Sequence, residues 1–320
     1  MRVLVTGMGG ELGTRVAMLL EAERTVEAVA GIDMDPPRRR LHSTDFFRIE
    51  PRDRRRTVEA VRAFAPNAVV HLGVYEPDAR SAPRAAAEQT SAAAVAVLGA
   101  AAELDSIEAI VVRSGIEVYG RRRGSVTVPD EDVAPDPGSA FGHSLLQVEA
   151  VAASAGERAD VPVTVLRLAP VVGPHFPSPL GRYLRLPVVP VSVLSDPTFS
   201  VLHQEDAARA IVHALLHRRP GAFNIVGAGA VTALQATRLG NRIPVPLVGP
   251  GWLLARRLAD LAGSPLPGHV RELLTRGRTA DGSRARDVLG FEPAFSTPEV
   301  VRDLYEWAPV THLRPATAAA

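Results

Sequence analysis

The chain has 320 residues, 46% of them hydrophobic, and a formal net charge of +1. That length allows one large domain or a domain with a lobe, and the near-neutral charge gives no broad field for nucleic acid or an anionic membrane surface. There is no cysteine, hence no disulfide, thiolate metal site or cysteine nucleophile, and all 36 basic residues are arginine.

Residues 3–6, Val-Leu-Val-Thr, run straight into glycines, and Leu12, Val16, Leu19 and Leu20 then fall on one face of a helix. Gly7, Gly10 and Gly13 stand where a strand–turn–helix needs them: for the tight turn, for close approach of a pyrophosphate to the backbone, and for packing of helix on strand. The free N–H groups of the first helical turn, at Glu11 and Leu12, then face the anion. A glycine turn that binds nothing is the alternative. Residues 26–32 read as a second buried strand ending in Asp33, an acid placed to accept from a ribose hydroxyl. Arg38, Arg39 and Arg40 follow, either as a solvated loop or as a clamp for a 2′-phosphate. NADP(H) is therefore expected ahead of NAD(H), although Asp33 argues the other way.

Strands at 46–49, 68–72, 109–112 and 163–168 alternate with helices at 57–64, 85–103 and 141–155. This spacing predicts an α/β fold, a doubly wound parallel sheet covered on both faces. Proline-broken apolar pieces at 175–197 suggest a smaller lobe over the carboxyl edge of the sheet. A strand at 199–202, a helix at 206–217 and a strand at 222–226 return to the regular pattern. A proline-rich crossing at 242–251 follows, then helix candidates at 251–262, 267–276 and 297–307, with Trp252 and Trp307 in the core of the lobe. The expected division is a Rossmann domain at 1–174, rejoined by 198–227, a substrate lobe at 175–197 and 228–310, and a flexible tail at 311–320. His213 and His217 lie one helical turn apart without a third ligand, so no metal is expected. No basic leader and no window of eighteen uncharged apolar residues stand out, so neither a signal peptide nor a transmembrane helix is expected, and the expected location is cytoplasmic.

Taken together, these segments resemble the extended short-chain dehydrogenase/reductase family. Thr6–Gly13 resembles its T-G-x-x-G-x-x-G, residues 69–73 its fourth strand, residues 114–120 its S-S-x-x-V-Y-G, and residues 166–174 its sixth strand and G-P. The match runs over residues 1–305, and its texture is similar to actinobacterial chains labelled UDP-glucose 4-epimerase-like. The resemblance implies a nicotinamide cofactor. It places Leu72, Gly73, Val74, Thr90, Arg113, Ser114, Pro170 and Val171 near that cofactor. Glu50, where the family has an aspartate, is expected to accept from the adenine amino group with Pro51 against the ring, unless it is an exposed loop acid. A homodimer through the helices at 85–103 and 141–155 is also implied.

The resemblance breaks at the chemistry. The family uses a serine or threonine with a Y-x-x-x-K pair; the matching positions here are Gly115, Phe141 and Leu145. Arginine stays protonated and cannot stand in for that lysine, and phenylalanine has no proton to give. Ser114, Tyr119 and His203 are the polar candidates left to assist, with His143 and Tyr183 further off; each has a structural reading beside the functional one. A ketone flanked by a phenol can supply its own proton. The expected activity is thus an NADPH-dependent ketoreductase acting on an aromatic polyketide, similar to the tyrosine-less angucyclinone ketoreductase of simocyclinone biosynthesis. The alternatives are a non-catalytic NAD(P)-binding regulator and a sugar-nucleotide epimerase/dehydratase-like enzyme.

Overall fold

A computed structural model describes residues 1–77, 82–122, 124–192, 195–247 and 266–305. Its centre is β1 (Arg2–Thr6), in which Val3, Leu4 and Val5 are fully buried. A strand covered on both faces needs an unbroken apolar run rather than alternation, which is what this segment supplies. β1 pairs in parallel with β2 (Ala28–Asp33) on one side and β4 (Ala68–His71) on the other. With β3 (Thr44–Arg48), β5 (Ala109–Gly115), β6 (Val163–Leu168) and β11 (Gly221–Ile225), they form a seven-stranded sheet in the order β11-β6-β5-β4-β1-β2-β3. Chain direction across the sheet reverses between β1 and β4, the switch point where such sheets open a crevice at their carboxyl ends.

Helices cover both faces as the alternation predicts. α1 (Glu11–Ala22) packs on α6 (Gln204–His217), while α2 (Arg54–Phe64), α3 (Pro83–Ala101) and α4 (Ala140–Ala159) lie side by side. Several bounds differ from the sequence expectation for local reasons. β2 starts at Ala28 because Val26 is held in a turn by Glu23 O at 3.1 Å. β5 runs on to Gly115 because β6 keeps pairing with it, Gly115 opposite Leu168. α6 begins at Gln204 because His203 caps it, its Nδ1 accepting from Glu205 N at 3.3 Å.

A second core gathers Leu180, Tyr183, Phe199, Val201, Leu273 and Leu304, among others. It is built by α5 (Pro179–Leu184), β8 (Val188–Ser192), β9 (Thr198–Phe199), α7 (Ala233–Leu239), α8 (Gly268–Arg276) and α9 (Thr297–Tyr305). Two short pairs lie outside the large sheet: β7 (Val171–Val172) runs parallel to β10 (Leu202–His203), and β9 antiparallel to β12 (Val231–Thr232). The residues expected to return to the main domain divide: β11 joins the large sheet, but Phe199 belongs to this second core. The proline-rich crossing forms a strand, β13 (Ile243–Leu247), paired in parallel with β8. Ile243 N donates to Pro187 O at 3.2 Å, so with period two Pro244 and Pro246 occupy the positions whose N–H would point away from β8. The helix candidate at 251–262, both tryptophans and the tail at 311–320 lie outside the described residues. Among the described residues no helix is long and apolar enough to cross a membrane, and no group of three metal-ligating side chains occurs.

The switch point is closed by one hydroxyl. Thr6 Oγ1 accepts from Leu72 N at 3.2 Å and Gly73 N at 3.3 Å and lies 2.8 Å from His71 Nδ1. With two N–H groups already accepted, its own proton is the one shared with His71. Burial pushes the His71 pKa down to about 4, so the ring is folded in as the neutral base. The unfolded chain binds this proton more readily, so stability is full above about pH 6.5 and falls as pH drops toward 4. The loss expected from this one ring is about 3 kcal/mol at its limit. Urea denaturation of wild type and His71→Gln across that pH range should show this component in wild type and not in the variant.

Candidate active site

Three segments converge at the carboxyl edge of β1, β4 and β5. The first is the β1–α1 turn, where Gly7 sits at φ +71° and a Cβ would lie 2.6 Å from Leu72 O. At Gly9 a Cβ would lie 2.8 Å from the carbonyl carbon of Asp35, so the turn and the β2 loop touch backbone to backbone. Gly7, Gly10, Glu11, Leu12 and Gly13 line the cleft that results, together with Asp33 and Arg38. Asp33 Oδ2 accepts from Gly9 N at 2.9 Å, and its Oδ1 from Met34 N at 2.6 Å and Asp35 N at 3.2 Å. Burial nevertheless pushes its pKa up. The carboxylate keeps acceptor capacity beyond these three bonds.

Glu11 puts a buried carboxylate in the first turn of α1. Arg15 Nη2 meets it at 2.9 Å and Arg39 Nη2 at 3.7 Å. Arg15 also pairs with Glu205. Arg39 is therefore engaged by Glu11, and among the three adjacent arginines it is Arg38 that lines the cleft.

The second segment follows β4. Leu72, Gly73 and Val74 line the cleft as expected, joined by Tyr75 and Glu76. Thr90 is buried behind them on α3, its Oγ1 accepting from Tyr75 N at 3.0 Å. Burial, reinforced by Asp33 and Asp35, pushes the Tyr75 hydroxyl pKa up.

The third segment is the end of β5. Arg113 lines both the cleft and an inner cavity of about 30 Å³, as do Glu76 and Phe176, so the two adjoin across these three side chains. The inner cavity holds Ser114, Gly115, Pro170 and Val171 and is walled largely by Phe141, Leu145, Leu168, Leu180, Val270 and Leu273. Its charged groups are Glu76, Arg113 and Glu117. Desolvation lowers the Arg113 pKa, with Glu76 and Glu117 pulling against it. A Cβ on Gly115 would run into the Glu117 carboxylate and stand 3.1 Å from Leu145 Cδ1. The space of the missing hydroxyl is thus filled by an acid from the next turn. His269, at the start of α8, completes the wall: its ring centroid lies 4.7 Å from that of Phe141, and its Nε2 bonds Glu76 Oε1 at 2.8 Å.

Ser114, although it lines the inner cavity, is committed to a neighbour, and the remaining expected residues lie elsewhere. Ser114 Oγ donates to Glu149 Oε1, which also accepts from Arg167 Nε at 3.0 Å. Tyr119 donates to Asn224 Oδ1 at 2.8 Å and accepts from Arg167 Nη1 at 2.9 Å, outside the cavity lining; burial pushes its pKa up. His203 bonds Asp303 Oδ2 at 3.0 Å and packs on Phe295, pinning α9 to α6. His143 Nδ1 lies 2.8 Å from Ser139 O on the exposed face of α4, and the buried Tyr183 donates to Pro190 O. Pro51 lines a shallow groove against α3, and Glu50 O accepts from Asp53 N at 2.9 Å; neither lines the cleft. Gly9, Tyr75, Glu76, Glu117 and His269 went unread in the sequence. Gly9 had a signal in the glycine run; the others carry no spacing that marks them.

Sheet order, glycine turn and cleft define a Rossmann-type fold of the short-chain dehydrogenase/reductase build. The model of the NAD dependent epimerase/dehydratase family matches residues 3–226, and the chain belongs to that family. It is 30% identical over 312 residues to the uncharacterized protein Rv0501 of Mycobacterium tuberculosis, covering 95% of this chain and 83% of that one. A UDP-glucose 4-epimerase of Thermotoga maritima, solved with UDP-glucose, superposes with TM-score 0.74 at 20% identity, covering 96% of this chain and 98% of that one. A UDP-glucose 4-epimerase of Thermus thermophilus in complex with NAD gives 0.74 at 23% identity, covering 95% and 98%.

The filled space at Gly115 can be tested directly. Gly115→Ser should destabilise the fold by about 1–3 kcal/mol through overpacking against Glu117 and Leu145. Adding Glu117→Ala should recover most of that loss in urea denaturation, and a double mutant no more stable than Gly115→Ser would show that Glu117 is not what fills the site.

Proposed function

We propose that the protein is an NAD(H)-dependent reductase acting on the carbonyl of an apolar ring ketone, of which an aromatic polyketide is the type the sequence suggests. The observation that carries this reading is the wall of the inner cavity: Phe141 and Leu145 make it apolar where the family's tyrosine and lysine would be, next to the glycine-lined cleft, and side chains of that wall would have to move apart to admit a ring. A bound nicotinamide supplies or accepts a hydride. The chain's part is to hold the dinucleotide by the Gly7–Gly13 turn, accept the ribose at Asp33, and present an apolar surface to the ring. On this reading a phenol beside the carbonyl, as in angucyclinone-type substrates, or a group of the protein supplies the proton.

The fit favours NAD(H) over the NADP(H) expected from the arginine run. Asp33 and Asp35 line the ribose end of the cleft, and Arg39 is taken by Glu11. A 2′-phosphate placed there meets two carboxylates and one arginine, and like charges in a partly buried site repel. Calorimetric titration should give NADH at least about tenfold tighter binding than NADPH, a difference of roughly 1.4 kcal/mol. Glu11→Gln, which frees Arg39, should narrow that gap, and tighter NADPH binding by wild type would reverse the assignment.

A sugar-nucleotide reading has one support, the fold neighbours solved with UDP-glucose or NAD. It needs an acid–base pair at the sugar, and Phe141 and Leu145 offer none. Incubation with NADH and 9,10-phenanthrenequinone should consume NADH, whereas UDP-glucose with NAD+ should give no UDP-galactose. Epimerised product would establish the sugar-nucleotide enzyme; tight NADH binding with neither reaction would favour a binding regulator.

A further inference from the structure

We propose that His269, held by Glu76, is the proton donor of this site, taking the place of the absent tyrosine; the proposal rests on the reductase reading above. Four observations converge on it. The imidazole lies against Phe141, the residue at the family's tyrosine position, with ring centroids 4.7 Å apart and planes tilted by 39°, so it is beside the point where that hydroxyl would act. It lines the same cavity as Gly115, Leu145 and Arg113. Its Nε2 is bonded at 2.8 Å to Glu76 Oε1, and Glu76 lines both the cavity and the cofactor cleft. The ring is 5% exposed and the carboxylate 25%, a histidine–carboxylate pair with one end dry and the other wet.

The roles follow from this geometry. With Nε2–H donating to Glu76, Nδ1 is the ring nitrogen left for a substrate oxygen. Glu76 fixes the tautomer and the orientation of the ring, as a carboxylate behind a catalytic histidine does. In the reductive direction the carbonyl carbon accepts a hydride from a reduced nicotinamide and the C=O electron pair moves onto oxygen. That oxygen takes the proton from His269 Nδ1 and becomes a hydroxyl. The ketone is reduced by two electrons and the nicotinamide oxidised by two, and with Nε2–H still bonded to Glu76 the imidazole regains its proton at Nδ1 from water once the alcohol has left. The other charged groups lining the cavity on either side of the His269 ring are Arg113 and Glu117 within, and Arg271, Glu272 and Arg276 without.

This assignment is distinct from a structural histidine at a lobe contact, and binding separates the two. Alizarin, a dihydroxyanthraquinone that carries a phenolate near neutral pH, offers an apolar ring system with a negative oxygen. Its visible band reports binding to the full-length protein saturated with NAD+. Wild type should bind it. His269→Asn should weaken binding at least about tenfold, the order of one charge-assisted hydrogen bond, while leaving the affinity for 9,10-anthraquinone, which has the rings without the phenolate, unchanged. Glu76→Gln keeps an acceptor for Nε2 but not the charge, and should give a smaller loss of alizarin affinity. NAD+ affinity should be unchanged in His269→Asn, which also shows that it folds; urea denaturation shows the same for Glu76→Gln. Wild-type alizarin affinity in His269→Asn, or an equal loss for anthraquinone, would overturn the assignment while leaving the reductase reading standing. Tight NAD+ binding with no alizarin binding in wild type would overturn the ring-ketone reading and this assignment with it.

Discussion

The Thr6 hydroxyl is the interaction on which the site depends. Parallel strands that diverge at a switch point leave unpaired N–H groups at their carboxyl ends, and in a buried edge each such group costs about 1–3 kcal/mol unless it is satisfied. The Leu72 N–H is shared between the Thr6 carbonyl and the Thr6 hydroxyl, and the hydroxyl alone takes the N–H of Gly73, so β4 turns away from β1 at a fixed angle instead of fraying. The glycine turn then leaves from one side of this clasp and the 72–76 loop from the other. The cleft walls are consequently two backbones anchored to one side chain, and Thr90, bonded to Tyr75 N, anchors the second wall from behind.

Much of this frame was legible in the sequence because it is set locally. A run of Val-Leu-Val before a glycine turn, a helical face after it and an acid at the end of the next strand are all consequences of neighbours in the chain, and the parallel sheet follows from the alternation. The proline-rich stretch was read as a crossing because proline argues against a strand. The structure shows the exception: Pro244 and Pro246 fall at alternate positions, where no N–H is required of them.

The candidate site was less legible because its contacts are not local. Glu76 and His269 are 193 residues apart, and their bond is made only when the lobe folds onto the sheet edge. Arg39 reads as a phosphate clamp in a run of three arginines; only the fold reveals that Glu11 reaches it across the turn. Tyr119 and His203 were plausible acids by residue type, yet each is committed by geometry. One closes the Arg167–Asn224 network and the other caps α6 and ties it to Asp303.

The positions of the family's hydroxyl, tyrosine and lysine are not three independent losses. Glycine at 115 leaves room that the Glu117 carboxylate occupies, and Leu145 packs within contact of that same space. Phenylalanine at 141 meets the His269 ring at 4.7 Å between centroids, so that position too is packed against the lobe. Each substitution makes sense only with the next, because a close-packed interior passes a change in volume at one position on to its neighbours. Restoring the hydroxyl at 115 would therefore meet both Glu117 and Leu145, so the three positions are coupled through the space they share.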